Sequence, residues 1–383
     1  MDQKVILSLD FPECASKALV FIRNNYNRCS RPELSTLANK CILYHDYNQE
    51  QNIWVKKTNR MQELQCIDCI VNFFESESDT SIRDFIFDLL FGDFYHQNTA
   101  KFTLQLLLSY AISLEGKKTL ETVSKWVITN IGNEVIQTIF EQLVVDHFLL
   151  YNNPQKSQIS ENLINLCTIS PLFASLFMSI ILDMLANEMI KNDDKFLYKM
   201  FSLIEIWIEK NSLIPMLAYQ TNLSHFSSYM LNPLPGLLYT TVLFPVKNFS
   251  ETVKKNPELG AEKIQQLDSL VFKVHLISLK LVSDLSNLLG PGQEGFKLLN
   301  LKNLETIQKR LDEAQVEFKD EQISKIFKKL LFDSFERLAQ MIQLCLQYGF
   351  TNCSKMEIRN LFSNLISNIS LSNDGICLME MTF

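Results

Sequence analysis

The chain has 383 residues and a formal charge of −7, with 47% hydrophobic residues, 27 Phe, and only 10 Gly and 10 Pro. Gly is under half its usual share of about 7% and Pro about half its usual 5%, which disfavours sheet-rich folds and phosphate-binding turns that depend on those residues. Abundant Leu, Ile, Val and Phe exclude low complexity and disorder, and 43 acids against 36 bases disfavour a nucleic-acid or anionic-lipid surface.

A chain of this length suggests two or three domains and can bury about three-quarters of its extended surface. Met1 to Asp10 is too poor in apolar and basic residues for a secretory signal. The most lipid-like run, Pro171 to Leu182, is ended by Asp183 and is too short to cross about 30 Å of hydrocarbon. An odd count of nine Cys, scattered within apolar runs, reads as reduced, packed thiols of the cytosol or nucleus. The sequon Asn222-Leu223-Ser224 is then a chance match. These features lead us to expect a soluble intracellular protein.

Apolar spacing of three and four predicts helices near 14–26, 33–45, 60–75, 80–91, 99–114, 119–130, 133–150 and 159–168. Further helices are predicted near 171–190, 194–210, 212–220, 235–244, 262–289, 294–318, 321–348 and 355–370. Leu64, Ile67, Val71 and Phe74 share one face, as do Ile82, Phe85, Ile86 and Leu89. Ser170-Pro171 supplies an N-cap hydroxyl with Pro at the first helical position. Ser354 with Glu357 forms a capping box, and Gly116, Gly290-Pro291 and Gly349 follow apolar runs as stops. His45 to Arg60 has no period and reads as a loop. Lys247 to Gly260, with Lys254-Lys255-Asn256-Pro257, reads as a boundary, and beyond it Leu304, Ile307, Leu311, Ala314 and Phe318 suggest the seam of a long helix pair.

The expected fold is all-α, an irregular HEAT-like helical-pair stack (an α-solenoid) with longer C-terminal helices. The expected organisation is an N-terminal helical array over 1–246, a linker over 247–261, a C-terminal helical region over 262–371 and a tail over 372–383.

Chemical motifs are sparse. Cys66-Ile67-Asp68-Cys69 with Cys41 and His45 has the spacing of a four-ligand zinc site, but Cys66 and Cys69 sit in an apolar helix where packed thiols explain both. Gly116-Lys117-Lys118-Thr119 lacks the earlier Gly of a phosphate loop and has Lys118 where a metal-binding hydroxyl belongs. Glu205 and Glu209, one turn apart, have no accompanying Glu-x-x-His pair. His45, His96, His147, His225 and His275 are isolated, and no nucleophile has a base nearby. The basic clusters Lys56-Lys57 with Arg60, Lys254-Lys255 and Lys328-Lys329 are too small for a phosphate track. No catalytic residue, cofactor or metal is therefore expected, and what remains is surface. Trp54, Trp126 and Trp207 are possible interface anchors, the last two lying in core-like stretches. Asn232, Pro233, Leu234, Pro235 and Gly236, two Pro flanking a Leu between helices, form a candidate partner contact, with a simple helix-start turn as the alternative.

Several blocks then resemble a known family. Met61-Gln62-Glu63-Leu64-Gln65 through Asn72-Phe73-Phe74 to Ser81-Ile82-Arg83 and Ile86-Phe87 is similar to the subunit 15 family of the Integrator complex. So are Ile169-Ser170-Pro171 with Phe173, and the stretch from Ile204 to Trp207-Ile208 on through Asn232-Pro233-Leu234 and Gly236-Leu237 to Pro245. Asp268 to Leu281, including Lys273 and His275-Leu276, and Asp333 to Leu365, including Arg337-Leu338-Ala339-Gln340, Gly349 and Leu361, complete a collinear series over about residues 60 to 365. Residues 1 to 59 match weakly, and the Pro-rich tail of animal members is missing.

The resemblance implies a non-catalytic nuclear subunit of an assembly that acts with RNA polymerase II in nascent transcript cleavage and small nuclear RNA 3′-end processing. It further implies partners among Integrator subunits, especially subunit 10 and the module of subunits 10, 13 and 14, which it would link to the rest, with no membrane and no direct nucleic acid. The other readings of the sequence are a helical-repeat scaffold of a different intracellular assembly and a metal-binding protein.

Overall fold

Apolar residues three and four apart fold as helices along nearly all of the described chain. The computed structural model describes residues 3–50, 53–92, 98–130, 134–150, 160–186, 194–217, 234–255, 260–289, 297–315 and 318–369. By its internal contacts the chain divides into an N-terminal unit, Met1–Phe177, and a C-terminal unit, Met178–Phe383.

The N-terminal unit holds α1 (Gln3–Ile6), α2 (Glu13–Asn25), α3 (Arg31–Leu37), α4 (Arg60–Ser76), α5 (Thr80–Phe91), α6 (Asn98–Ser113), α7 (Lys117–Thr129), α8 (Glu134–Val145) and α9 (Glu161–Ile169). Helix α2 packs on α4, α4 on α6 and α6 on α8, while α3 packs on α5 and α5 on α7. Each helix thus meets the next but one, which sorts these helices into two rows. The aromatic core includes Phe87, whose ring lies 6.4 Å from Phe74, 4.8 Å from Phe91 and 5.4 Å from Trp126. Burying each such side chain contributes about 1.5–3 kcal/mol. The α4 face departs slightly from expectation: Ile67, Ile70, Val71 and Phe74 are buried, but Leu64 is exposed and Glu63 is buried instead, paired with Lys56.

Residues 45–60 are not the featureless loop that their composition suggests. They contain β1 (His45–Asn48) and β2 (Ile53–Lys56), an antiparallel pair with Tyr47 opposite Trp54. Strands this short give no readable period of two, and the intervening Gln49-Glu50-Gln51-Asn52 carries none of the Gly that announces a tight hairpin. The fold is therefore mostly helical with a hairpin rather than all-α. Wide π turns extend two helices of this unit, Ala38–Ile42 after α3 and Asp146–Leu150 after α8.

Helix α10 (Pro171–Ala186) contributes residues to both units. The C-terminal unit continues with α11 (Asp194–Lys210), a 3₁₀ turn at Ile214–Met216, α12 (Leu234–Leu238), α13 (Phe244–Lys255), α14 (Gly260–Leu289), α15 (Leu301–Ala314), α16 (Glu321–Gln347) and α17 (Lys355–Ile369). A π segment, Tyr239–Leu243, joins α12 to α13. Helix α14 packs on α11, α13 and α16, and α15 packs on α17. Gly349, at φ +71°, turns the chain after α16, a left-handed conformation that favours Gly. Lys297 Nζ donates to its carbonyl at 2.8 Å.

Two expectations change here. The stretch 247–261, expected as a linker, begins inside α13, which buries Val246, Phe249, Ser250 and Val253 on one face. Lys254-Lys255 is thus the polar end of an amphipathic helix. The seam expected through Phe318 stops at Ala314, the last residue of α15, after the buried Leu304, Ile307 and Leu311. Phe318 instead joins an aromatic cluster, its ring 5.8 Å from Phe249 and 5.1 Å from Phe327.

Candidate interaction surface

Among the described residues, several of the motifs that could carry chemistry are occupied by the protein's own packing. In the N-terminal unit Cys66 Sγ donates to the Ile42 carbonyl at 3.0 Å, Cys14 Sγ to the Cys41 carbonyl at 3.4 Å, and Cys69 Sγ lies 3.5 Å from Ser16 Oγ. Burial pushes the Cys66 thiol well up. His45 is buried, its Nδ1 has no hydrogen-bond partner, and desolvation with the nearby Lys56 holds its imidazole down at about 4. Among the described residues no group of three or more His, Cys, Asp or Glu is arranged to hold a metal ion. The zinc reading of Cys41, His45, Cys66 and Cys69 is set aside on that geometry.

The N-terminus of α7 is likewise filled. Glu75, from the last turn of α4, accepts from the Lys118 and Thr119 amides at 3.2 and 2.8 Å and from Thr119 Oγ1 at 2.7 Å. Exposed amides at a helix start attract anions, and here an internal carboxylate already serves as that anion. Glu205 is paired with Lys273 at 2.6 Å. His275 Nε2 lies 2.8 Å from Gln340 Oε1, and Arg337 donates to Asp268 at 2.7 Å and to the Thr241 carbonyl at 3.3 Å. His96 and His225 lie outside the described residues.

These polar pairs fall in the blocks that carry the family resemblance, including Ser81-Ile82-Arg83, Asp268 to Leu281 and Arg337-Leu338-Ala339-Gln340. Arg83 is 4% exposed and donates to the Glu77 carbonyl at 2.7 Å and to Thr122 and Thr80 hydroxyls at 3.3 Å. The shared blocks therefore describe how the helices are tied together.

Surface that departs from an ordinary solvated face lies elsewhere. Helix α3 opens with a capping box, Ser30 N donating to Glu33 Oε2 at 3.0 Å, and places Pro32 in its first turn. Beside it the hairpin presents Tyr47 and Trp54, directly opposed across the strands, with ring centroids 5.2 Å apart and planes at 60°. Between them runs an open groove of about 550 Å³, lined by Arg31, Pro32, Lys40, Tyr47, Trp54 and Leu89 among others. Arg31 pairs with Asp88 at its edge, while Lys40 is exposed. Only Trp54 of this set was visible as a candidate in the sequence. Trp126 and Trp207, 8% and 0% exposed, are core. In the C-terminal unit α14 exposes Phe272 and Leu276, one turn apart.

Of the segment Asn232, Pro233, Leu234, Pro235 and Gly236, the first two residues lie outside the described chain. Leu234 opens α12 and is fully buried, Gly236 is buried against Leu182, and Pro235 is half-buried.

Among the described residues no helix is long and apolar enough to cross a membrane. Comparison with known sequences adds identity to this geometry. Residues 2–367 match the sequence model of a family described as Integrator complex subunit 15. Human Integrator complex subunit 15 is 24% identical over 348 residues, an alignment covering 84% of this chain and 73% of the human protein.

Proposed function

We propose, for a chain that belongs to the Integrator complex subunit 15 family, the role of a non-catalytic scaffold within an Integrator-like complex. The observation that carries this reading is the family match over residues 2–367. In this reading the partners are Integrator subunits, above all subunit 10 and the module of subunits 10, 13 and 14, which the chain links to the remainder. The complex acts in the nucleus with RNA polymerase II, in nascent transcript cleavage and small nuclear RNA 3′-end processing.

The architecture supports a scaffold. Helices that pack each on the next but one, as α2, α4, α6 and α8 do, are the local arrangement of stacked helical pairs, and we read the chain as an irregular HEAT-like stack. Among the described residues, the buried Arg83, His275 and Arg337 are committed to internal bonds. Within the segment Asn232 to Gly236, Pro235 is the described member with surface left for a partner. Affinity purification of the tagged chain from its own cells tests the assignment. Integrator subunits are expected in the eluate, and their complete absence from a folded, expressed chain would contradict it.

A further inference from the structure

We propose that the groove between α3 and the β1–β2 hairpin binds an acidic, proline-containing peptide segment in extended polyproline conformation. This goes beyond the scaffold role, since it names a surface and the chemistry of what it holds.

The argument begins with the two rings. Tyr47 and Trp54 are cross-strand partners, so their side chains leave the same face of the hairpin. At 5.2 Å and 60° they meet edge to face, leaving a notch between one ring's face and the other's edge. Tyr47 is 44% exposed, so this aromatic pair is open to solvent rather than sealed as core. A flat, apolar pyrrolidine ring fits such a notch, and a polyproline helix arrives already ordered, so little conformational entropy is lost on docking. Pro32, exposed in the first turn of α3, adds apolar surface to the same groove.

Charge selects the sequence around the prolines. Arg31 and Lys40 line the groove, and Asp88 neutralises the first, leaving Lys40 as surplus positive charge. Asp46 is paired with Lys57 and, one residue from Tyr47 along the strand, belongs to the other face of the hairpin. The surplus charge of Lys40 favours an acidic segment over a basic one. Single-stranded nucleic acid also combines rings with negative charge, but its backbone needs a row of cations, and Asp88 leaves Lys40 alone in that role.

The test uses the full chain and its own fluorescence. Trp126 and Trp207 are buried, so quenching by iodide reads Trp54. A peptide of Pro-Pro-Glu repeats is expected to protect Trp54 from iodide and to bind with a salt-sensitive affinity. Lys40→Glu, at an exposed position that leaves the fold intact by circular dichroism, is expected to weaken binding at least about fivefold. Tyr47→Ala is expected to weaken it about tenfold. Equal binding of Gly-Gly-Glu repeats would overturn the proline notch, and equal binding of Pro-Pro-Lys repeats would overturn the charge argument. Absence of protection by the Pro-Pro-Glu peptide, or tighter binding of polyuridine, would overturn the proposal as a whole. None of these outcomes depends on Integrator subunits, so the groove and the scaffold role stand or fall separately.

Discussion

Replacing Arg83 with Ala is expected to destabilise the N-terminal unit by about 1.5–3 kcal/mol, the range for losing hydrogen bonds made by a charged group. The guanidinium is 4% exposed and spends its donors on three different elements. Nη1 reaches the Glu77 carbonyl just past α4, Nη2 reaches Thr80 at the start of α5, and Nε reaches Thr122 in α7. The same Glu77 carbonyl also accepts from Lys118 Nζ at 3.1 Å, and its nearly buried carboxylate pairs with Arg23 of α2 at 2.7 Å. Four helices are tied at this one junction, and Ala leaves both a cavity and loosened polar groups. Arg83→Lys is expected to recover only part of the loss, because an ammonium cannot present the guanidinium's spread of donors to three acceptors. Urea denaturation with hydrogen exchange localised to 60–129 measures both effects. Unchanged protection there in Arg83→Ala would refute the junction's role.

In the C-terminal unit Gly236→Ala is expected to cost about 1–3 kcal/mol, by overpacking rather than by lost bonds. A Cβ on Gly236 would stand 2.7 Å from Leu182 Cβ and 3.2 Å from the Leu182 carbonyl carbon and oxygen. Neither neighbour can rotate aside, since one is the root of its side chain and the others are main chain. The helices α10 and α12 would have to separate. Residue 236 has no need of Gly for its backbone, because it lies in regular helix, so close approach alone explains it. Hydrogen exchange should quicken in 178–186 and 234–255, and a larger side chain should deepen the effect. Wild-type exchange in those segments would show that the helices are not so tightly apposed.

Much of this was legible in the chain itself, for physical reasons that particular residues show. The period of α5 announces Ile82, Phe85, Ile86 and Leu89, of which Phe85 is half-buried and the other three buried. The capping box at Ser354 forms as expected, with Ser354 N donating to Glu357 at 2.7 Å. Gly349 lies at positive φ as a helix stop should. The hairpin was not legible, because strands as short as His45–Asn48 carry too few residues for alternation to register. Nor was α13, whose polar Lys254-Lys255 end resembled a break while Val246, Phe249 and Val253 kept the helical period beneath it. Pairings across long separations, such as Arg337 with Asp268, leave no local trace in the sequence. The groove is of that kind. Arg31, Lys40, Tyr47, Trp54 and Leu89 come from α3 and the π turn that extends it, the hairpin and α5, and only folding brings them to one place.

The proposed role makes this chain a physical link inside its complex. Purifying the complex through subunit 10, from cells with and without the chain, tests it most directly. The link predicts that subunits 10, 13 and 14 are still recovered together when the chain is missing, but without the remaining Integrator subunits. Recovery of the whole complex, undiminished, from cells that lack the chain would contradict it.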